Sequence, residues 1–265
     1  MIIDFHSHIY PEKIAAKAVD NIGGFYGIPM QGKGTPEDLL ERGRRGGVDR
    51  FVVFSAAGTP NQVERINSYI SAVCGGHPEF TGFGTLHRDM EDPAGEIGRI
   101  VDLGLRGIKF HPDMQRFNID DEKMMAIYAL LEGRLPVIFH TGDYRHSWSH
   151  PSRLARVLDA FPRLVVIAAH FGGWSLYDLA LEYFRDRFCY LDLSSSLPYL
   201  GMKRTEELIG IYGAGRILFG SDYPMWDPET ELERFRRLNL SETDREKILG
   251  GNALHILVPE VRGAR

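Results

Sequence analysis

Residues 135–170 read LPVIFHTGDYRHSWSHPSRLARVLDAFPRLVVIAAH, and they contain an apolar run, an amphipathic stretch and a second apolar run. The two apolar runs end on His140 and His170. Pro151 and Ser152 begin the amphipathic stretch, as is typical of the first turn of a helix. The segment therefore predicts a strand, a helix and a second strand within roughly 30 residues, the length of one βαβ unit.

The same alternation recurs along the chain, with a spacing of roughly 30 residues between apolar runs. Eight strands are predicted, at about 2–8, 50–55, 80–86, 105–111, 135–140, 164–170, 188–193 and 216–221. Helix starts lie between them, among them Thr35-Pro36, Asp120-Asp121-Glu122 and Ser241. Eight strands, each followed by a helix, predict an α/β protein of the (β/α)8 TIM barrel class, and a doubly wound open sheet is the alternative.

Length and composition predict one domain over residues 1–265, since 43% hydrophobic residues can bury a large core. The net charge of −5 and the scattered basic residues predict no nucleic-acid or membrane partner. No apolar run reaches the ~18 residues of a membrane span, and no leader is visible, so we expect a cytoplasmic protein. Cys74 and Cys189 lack a CxxC spacing, which suits a reducing compartment. The expected partner is a small-molecule substrate, and the oligomeric state is left open, with a homodimer favoured.

Four of the predicted strands end at histidine or aspartate, residue types that commonly bind metal ions. His6 and His8 lie two positions apart in the first strand and point to the same side of it. His140, His170 and Asp222 follow strands five, six and eight, which an open sheet would hold far apart and a barrel would gather at one mouth. An HxH pair alone could be two ordinary buried histidines, but this recurrence predicts a catalytic divalent-metal centre of imidazole and carboxylate ligands.

Segment 20–34, DNIGGFYGIPMQGKG, carries five glycines and follows the first strand. We predict that it forms a long loop over the mouth of the barrel, where it could act as a lid.

Further residues near the strand ends are candidates for substrate binding, because barrel active sites are built there. An arginine among aromatic side chains could pair with a substrate carboxylate, although exposed arginines are usually only solvated. The predicted substrate contacts are Lys109, His111, Arg145, Trp148, Trp174 and Tyr223. His146 and His150 are predicted as surface or helix-cap residues. The serines at 194–196 could supply hydroxyls to the site, but a role in a loop or helix cap is favoured.

Six segments of the chain resemble a known family: DFHSH, GIKFHP, VIFHTG, AAHFGG, FGSDYP and ILGGNALHIL. They are similar to the amidohydrolase superfamily, and more closely to its amidohydrolase-related branch, which includes aminocarboxymuconate semialdehyde decarboxylase-like proteins. The resemblance implies a (β/α)8 barrel with the metal at the carboxyl ends of the strands. Position by position, it implies that His6, His8, His140 and Asp222 are ligands of one ion.

The resemblance also implies that His170 is a general acid/base, and Asp222 could accept a proton from water as well as bind the ion. In two-metal members of the superfamily a carbamylated lysine lies where Lys109 stands, and His140 and His170 would then bind a second ion. We favour one ion per chain and a plain Lys109. Zinc is the expected metal, although manganese, iron and cobalt suit the same ligands.

The predicted activity is a metal-dependent hydrolase that uses a metal-activated water on a small, carboxylated amide, ester or lactone. A metal-dependent non-oxidative decarboxylase or hydratase of the same branch is the alternative, and an inactive metabolite-binding barrel is a third interpretation. The chain lacks a GxSxG elbow, a P-loop and a dinucleotide GxGxxG after a strand. Nucleophilic-serine, nucleotide and hydride chemistries therefore have no support in the sequence.

Overall fold

A computed structural model describes residues 1–258. Eight strands lie within this part of the chain: β1 Ile3–His8, β2 Arg50–Phe54, β3 Phe80–Gly82, β4 Ile108–Phe110, β5 Val137–Phe139, β6 Val166–Ala168, β7 Tyr190–Asp192 and β8 Ile217–Leu218. Each predicted strand is confirmed at its position. Most of them are shorter than the apolar run that predicts them, because the flanking apolar residues continue into buried turns.

Twelve α-helices alternate with the strands in the described residues: α1 Glu12–Tyr26, α2 Pro36–Gly46, α3 Val63–Gly76, α4 Pro93–Asp102, α5 Pro112–Gln115, α6 Glu122–Leu131, α7 Pro151–Ala160, α8 Tyr177–Phe184, α9 Leu197–Tyr212, α10 Pro228–Arg236, α11 Glu242–Glu246 and α12 Asn252–Leu257. A π-helical turn, Lys247–Gly251, joins the last two of them.

The predicted helix starts are confirmed by their capping hydrogen bonds. The Thr35 hydroxyl accepts the N–H of Asp38 at the start of α2, and Asp121 and Ser241 cap α6 and α11 in the same way. His150, which was predicted as a surface or helix-cap residue, caps α7 by accepting the N–H of Ser152. Each cap satisfies a backbone N–H that has no partner inside the helix, so the local sequence determines where the helix begins.

The predicted loop at 20–34 is wrong for residues 20–26, because α1 continues to Tyr26. Strong helix formers in the first half of α1 carry the helix through Gly23 and Gly24, which weaken it without ending it. It ends at Gly27, whose left-handed backbone (φ 67°) lets its N–H bond to the carbonyl of Gly23.

The chain packs as two compact units. The first comprises Met1–Phe54, Gly76–Thr81 and residues 193–258, and the second comprises Ser55–Gly75 and Gly82–Asp192.

In the first unit, β1 pairs in parallel with β2, and β3 follows on the other side of β2. The N–H of Phe5 in β1 bonds to the carbonyl of Phe219, just beyond β8, at 2.9 Å. The carboxyl ends of β1 and β8 therefore lie side by side, which brings the residues after them together.

In the second unit, β4, β5, β6 and β7 form a parallel sheet in that order. Every residue of these four strands is buried. A strand that is covered on both faces needs mostly apolar side chains on both, and β5 and β6 are continuous apolar runs. β4 and β7 each include one buried charged residue type, Lys109 and Asp192.

None of the helices in residues 1–258 combines the length and the apolar character that crossing a membrane requires.

Candidate metal centre

The carboxyl end of β1 presents two imidazoles to one carboxylate. His6 and His8 lie on the same side of the strand, and their Nε2 atoms are 3.4 and 3.7 Å from Oδ1 of Asp222. The His6 side chain is fully buried and the His8 side chain nearly so. The prediction that this pair and Asp222 come together is confirmed by the geometry of the first unit.

Asp4 orients both sides of this group. Its Oδ1 accepts the N–H of His6 at 3.0 Å and the N–H of Ser221 at 2.9 Å, and its Oδ2 accepts the Ser221 hydroxyl at 2.5 Å. Burial raises the pKa of Asp4 to about 6, although these hydrogen bonds oppose the shift. One carboxylate thus links the backbone before His6 to the backbone before Asp222. Asp4 is not among the predicted site residues, although it is the first residue of the DFHSH motif.

Neighbouring side chains set the direction of the two imidazoles. Nδ1 of His6 lies 3.1 Å from the hydroxyl oxygen of Ser194, which leaves Nε2 directed at Asp222. The ring of Phe54 meets both imidazoles edge-on, with centroids 5.1 and 4.8 Å away. A loop or cap role was the favoured prediction for Ser194, but its contact with His6 agrees with the alternative that it supplies a hydroxyl to the site.

These residues fit a divalent metal ion. One ligand atom each from His6, His8 and Asp222 lies within 4.8 Å of the others, and the three residues are buried or nearly so. Two imidazole nitrogens and one carboxylate oxygen are a donor set that zinc, manganese, iron and cobalt accept.

The second unit holds the two other predicted histidines, His140 and His170, directly after β5 and just after β6. Nδ1 of His140 is 2.9 Å from Nε2 of His170, and both residues are only 2% exposed. Nε2 of His140 lies 3.3 Å from Oδ2 of Asp113, a buried carboxylate that also accepts the Ser149 hydroxyl at 2.6 Å. Burial lowers the pKa of His140 well below its usual value, so this imidazole is neutral. Neither Asp113 nor Ser149 is among the predicted site residues.

His111 stacks on His140 with the ring centroids 4.1 Å apart, and burial lowers its pKa well below the usual value. His111, Asp113 and His140 form a second group of metal-binding residue types. However, Nδ1 of His111 accepts the N–H of Met114 at 3.3 Å, as the cap of α5. A neutral imidazole whose Nδ1 accepts must carry its proton on Nε2, which makes His111 a hydrogen-bond donor rather than a metal ligand.

Lys109 is fully buried in β4. Its carbonyl accepts the Thr85 hydroxyl at 3.1 Å. The plain Lys109 and the single ion that we favour stay predictions, and a carbamylated Lys109 with a second ion stays the alternative.

Arg145, a predicted substrate contact, is engaged within the protein. Its guanidinium donates to both oxygens of the fully buried Asp143, with distances of 2.7 to 3.2 Å, and lies 5.7 Å from the ring centroid of Trp174. Trp148 stacks on His146 at 4.9 Å. A substrate carboxylate would have to compete with Asp143 for Arg145.

Tyr223, another predicted substrate contact, is fully buried. Its hydroxyl donates to Asp38 at 2.8 Å and accepts the N–H of Gly34 at 2.9 Å. The prediction that it binds substrate is therefore not supported, because its polar atom holds the segment before α2 in place.

Comparisons with known proteins agree with this description. A family model described as amidohydrolase matches residues 3–257, and the chain belongs to that family. It is 26% identical over 235 residues to the 2-amino-3-carboxymuconate-6-semialdehyde decarboxylase of Dictyostelium discoideum, covering 72% of this chain and 65% of the relative. The chain thus spans slightly less than two thirds of that curated relative.

Among solved structures, an uncharacterized TIM-barrel protein from Bordetella bronchiseptica superposes with a TM-score of 0.79 at 24% identity, covering 97% of this chain and 98% of that one. A dihydroxybenzoic acid decarboxylase from Polaromonas, solved with manganese and the inhibitor 2-nitroresorcinol, superposes with a TM-score of 0.72 at 17% identity, covering 97% and 96%. The predicted TIM barrel is confirmed.

Proposed function

We propose that this chain is a divalent-metal-dependent, non-oxidative decarboxylase of a small carboxylated compound. The observation that carries the proposal is the group in which His6 Nε2 and His8 Nε2 face Asp222 Oδ1 at 3.4 and 3.7 Å. Such a set leaves room for further ligands, as a catalytic metal site requires.

The relatives favour the lyase alternative over the predicted hydrolase. Both of those reported above with a named activity are decarboxylases, one of an aminocarboxymuconate semialdehyde and one of a dihydroxybenzoic acid. Both substrates carry a carboxylate on an unsaturated carbon skeleton. We therefore propose a substrate of that class for this chain.

When bound, the divalent ion would supply positive charge that holds an anionic substrate and stabilises developing negative charge. His6, His8 and Asp222 would hold it. The assignment of His140 as a further ligand stays a prediction from the family resemblance. Manganese in the Polaromonas relative and our expectation of zinc make these the first two ions to test.

Decarboxylation needs a proton at the carbon that loses the carboxylate. The carbon–carbon bond breaks, carbon dioxide leaves, and the electron pair that stays on the carbon takes up the proton. No oxidant takes part. We propose that His170 delivers this proton, because its imidazole is buried and its Nε2 contacts Nδ1 of His140 at 2.9 Å, which gives it a hydrogen-bonded neighbour for proton exchange.

The test uses metal-depleted protein reloaded with manganese or zinc. Dihydroxybenzoates and an aminocarboxymuconate semialdehyde are supplied, and released carbon dioxide and loss of substrate absorbance are measured, with D222A as the metal-site control. Metal-dependent release of carbon dioxide by the wild type and none by D222A is the expected result. Metal-dependent cleavage of an ester or lactone panel without carbon dioxide release from any acid would contradict the proposal in favour of the hydrolase.

A further inference from the structure

We propose that Ser195 and Trp226 are positioning residues that hold the Asp222 carboxylate by Oδ2 and leave Oδ1 as its single metal-binding atom. The inference rests on the proposed metal site and adds to it two residues without an assigned role. All three side chains belong to the first unit.

The direction of each hydrogen bond follows from donor chemistry. Nε1 of Trp226 lies 2.9 Å from Oγ of Ser195, and an indole N–H can only donate. The Ser195 oxygen is therefore an acceptor in that contact. Its own proton is directed at Oδ2 of Asp222, 2.5 Å away. The chain of bonds runs one way, from indole to hydroxyl to carboxylate, and it requires Oδ2 of Asp222 to accept a proton from Ser195 rather than to carry one.

The other carboxylate oxygen faces the imidazoles. Oδ1 of Asp222 is 3.4 Å from Nε2 of His6 and 3.7 Å from Nε2 of His8. Because Ser195 occupies one side of Oδ2, rotation of the carboxylate to offer both oxygens to one ion would break a short, charge-assisted hydrogen bond. Ser195 and Trp226 together therefore favour coordination of the metal by Oδ1 of Asp222 alone.

The backbone is left-handed at both ends of the Ser195–Asp222 hydrogen bond. Ser195 has φ 50° and Asp222 has φ 66°, a region that is uncommon for residues other than glycine, although Asp enters it more readily than Ser. Strained backbone of this kind persists where surrounding contacts hold it, and it clusters at functional sites. Here, two strained residues from separate segments face each other through one hydrogen bond.

Trp226 is itself held in place. The guanidinium of Arg234 lies 5.7 Å from its ring centroid, and Tyr199 meets it edge-on at 6.2 Å. The thioether of Met225 lies 3.4 Å from the Ser195 oxygen and is the competing acceptor for its proton. Without the indole N–H, the Ser195 hydroxyl could donate to the Met225 thioether instead. Trp226 therefore directs the Ser195 proton to Oδ2 of Asp222.

The experiment compares cobalt-loaded wild type with S195A and W226F, and S196A is the matched control. Ser196 is the next buried serine, but its hydroxyl donates to the carbonyl of Ser194 at 3.0 Å. Metal affinity is measured by chelator competition, and the coordination number is read from the visible absorption of the bound cobalt.

We expect S195A to bind metal roughly 10-fold to 100-fold more weakly, since residues that hold a ligand in place typically contribute that much. Its cobalt spectrum should shift toward a higher coordination number as Asp222 turns to offer both oxygens. W226F should change both readouts in the same direction but less, and S196A should match the wild type.

Unchanged affinity and an unchanged cobalt spectrum in S195A, with the wild type binding metal, would overturn this inference and leave the proposed function intact. Wild-type protein that takes up no metal would overturn both. If S195A fails to fold, W226F decides the question by the same two measurements, since it retains Ser195 and removes the indole N–H that donates to it.

Discussion

At the scale of single residues, the candidate centre depends on short polar contacts between atoms that the chain brings together from distant positions. Asp222 donates its backbone N–H to the carbonyl of His6 at 2.9 Å, so ligand and neighbouring strand are joined directly. His170 is placed differently: its side chain contacts His140, and its own backbone N–H donates to Asp192 at 3.1 Å. The assignment of His170 to proton transfer rather than to metal binding stays a prediction.

Replacement of a predicted metal ligand and replacement of His170 should therefore give different results. H6A and D222A should each lose bound metal and activity together, because each removes one of the facing donors. H170A should retain the metal and lose activity by about 10²-fold to 10⁴-fold, the range for removal of a general acid or base. Elemental analysis and turnover of the same samples check this. Loss of all metal from H170A would show that His170 is a ligand instead.

At the scale of elements, close approaches between loops position the strand ends. In the second unit, the turn after β5 contains Gly142 at φ 73°. A Cβ on Gly142 would lie 2.5 Å from the Cα of Gly173, in the segment after β6. Only glycine allows these two loops to approach so closely, and the loops carry Asp143 and Trp174.

Substitution of Gly142 should therefore destabilise the protein by two separable effects. Gly133 has the same φ of 73° but nothing within 4 Å of an added Cβ, so it is the matched control. G133A should lower the free energy of unfolding by about 1 kcal/mol through backbone strain alone. G142A should lower it by about 3 kcal/mol, since steric overlap with backbone is added. Denaturant unfolding measures both, and equal losses would contradict the steric account.

At the scale of the whole molecule, the free energy of unfolding should depend on pH through one buried carboxyl group, that of Glu231. Glu231 in α10 is 0% exposed and is paired with Arg234. Burial raises the pKa of Glu231 from 4.5 to about 7, although Arg234 opposes the shift. The folded protein then binds more protons than the unfolded chain between these two pH values, so its stability should fall as the pH rises through this range and level off above about 7.

The variant E231Q should lack this dependence. The free energy of unfolding of wild type should therefore fall relative to that of E231Q by up to about 3 kcal/mol between pH 5 and pH 8. The reason is that only wild type must hold a buried charge at the higher pH. E233Q, on the exposed part of the same helix, is the control. Denaturant unfolding at both pH values is the measurement, and a difference between E231Q and wild type that stays constant with pH would contradict the prediction.

Much of the fold could be predicted because its signals are local. Apolar runs marked all eight strands, and Thr35, Asp121 and Ser241 marked helix starts, since a cap acts within one turn. The loop prediction failed at residues 20–26 for a related reason. Glycine content suggests a loop, but a helix that is already formed can continue through two glycines when its other residues favour it.

What the sequence determined by itself is the alternation of strands and helices and the placement of His6, His8, His140, His170 and Asp222 at strand ends. Only the tertiary structure decided which atoms meet. Ser195 reaches Asp222 across 27 positions and Asp4 reaches Ser221 across 217, and Tyr223 turns from a candidate substrate contact into a buried support. The physical reason is that periodicity and capping act over a few residues, whereas these contacts depend on strand pairing and on left-handed backbone that no short window of sequence specifies.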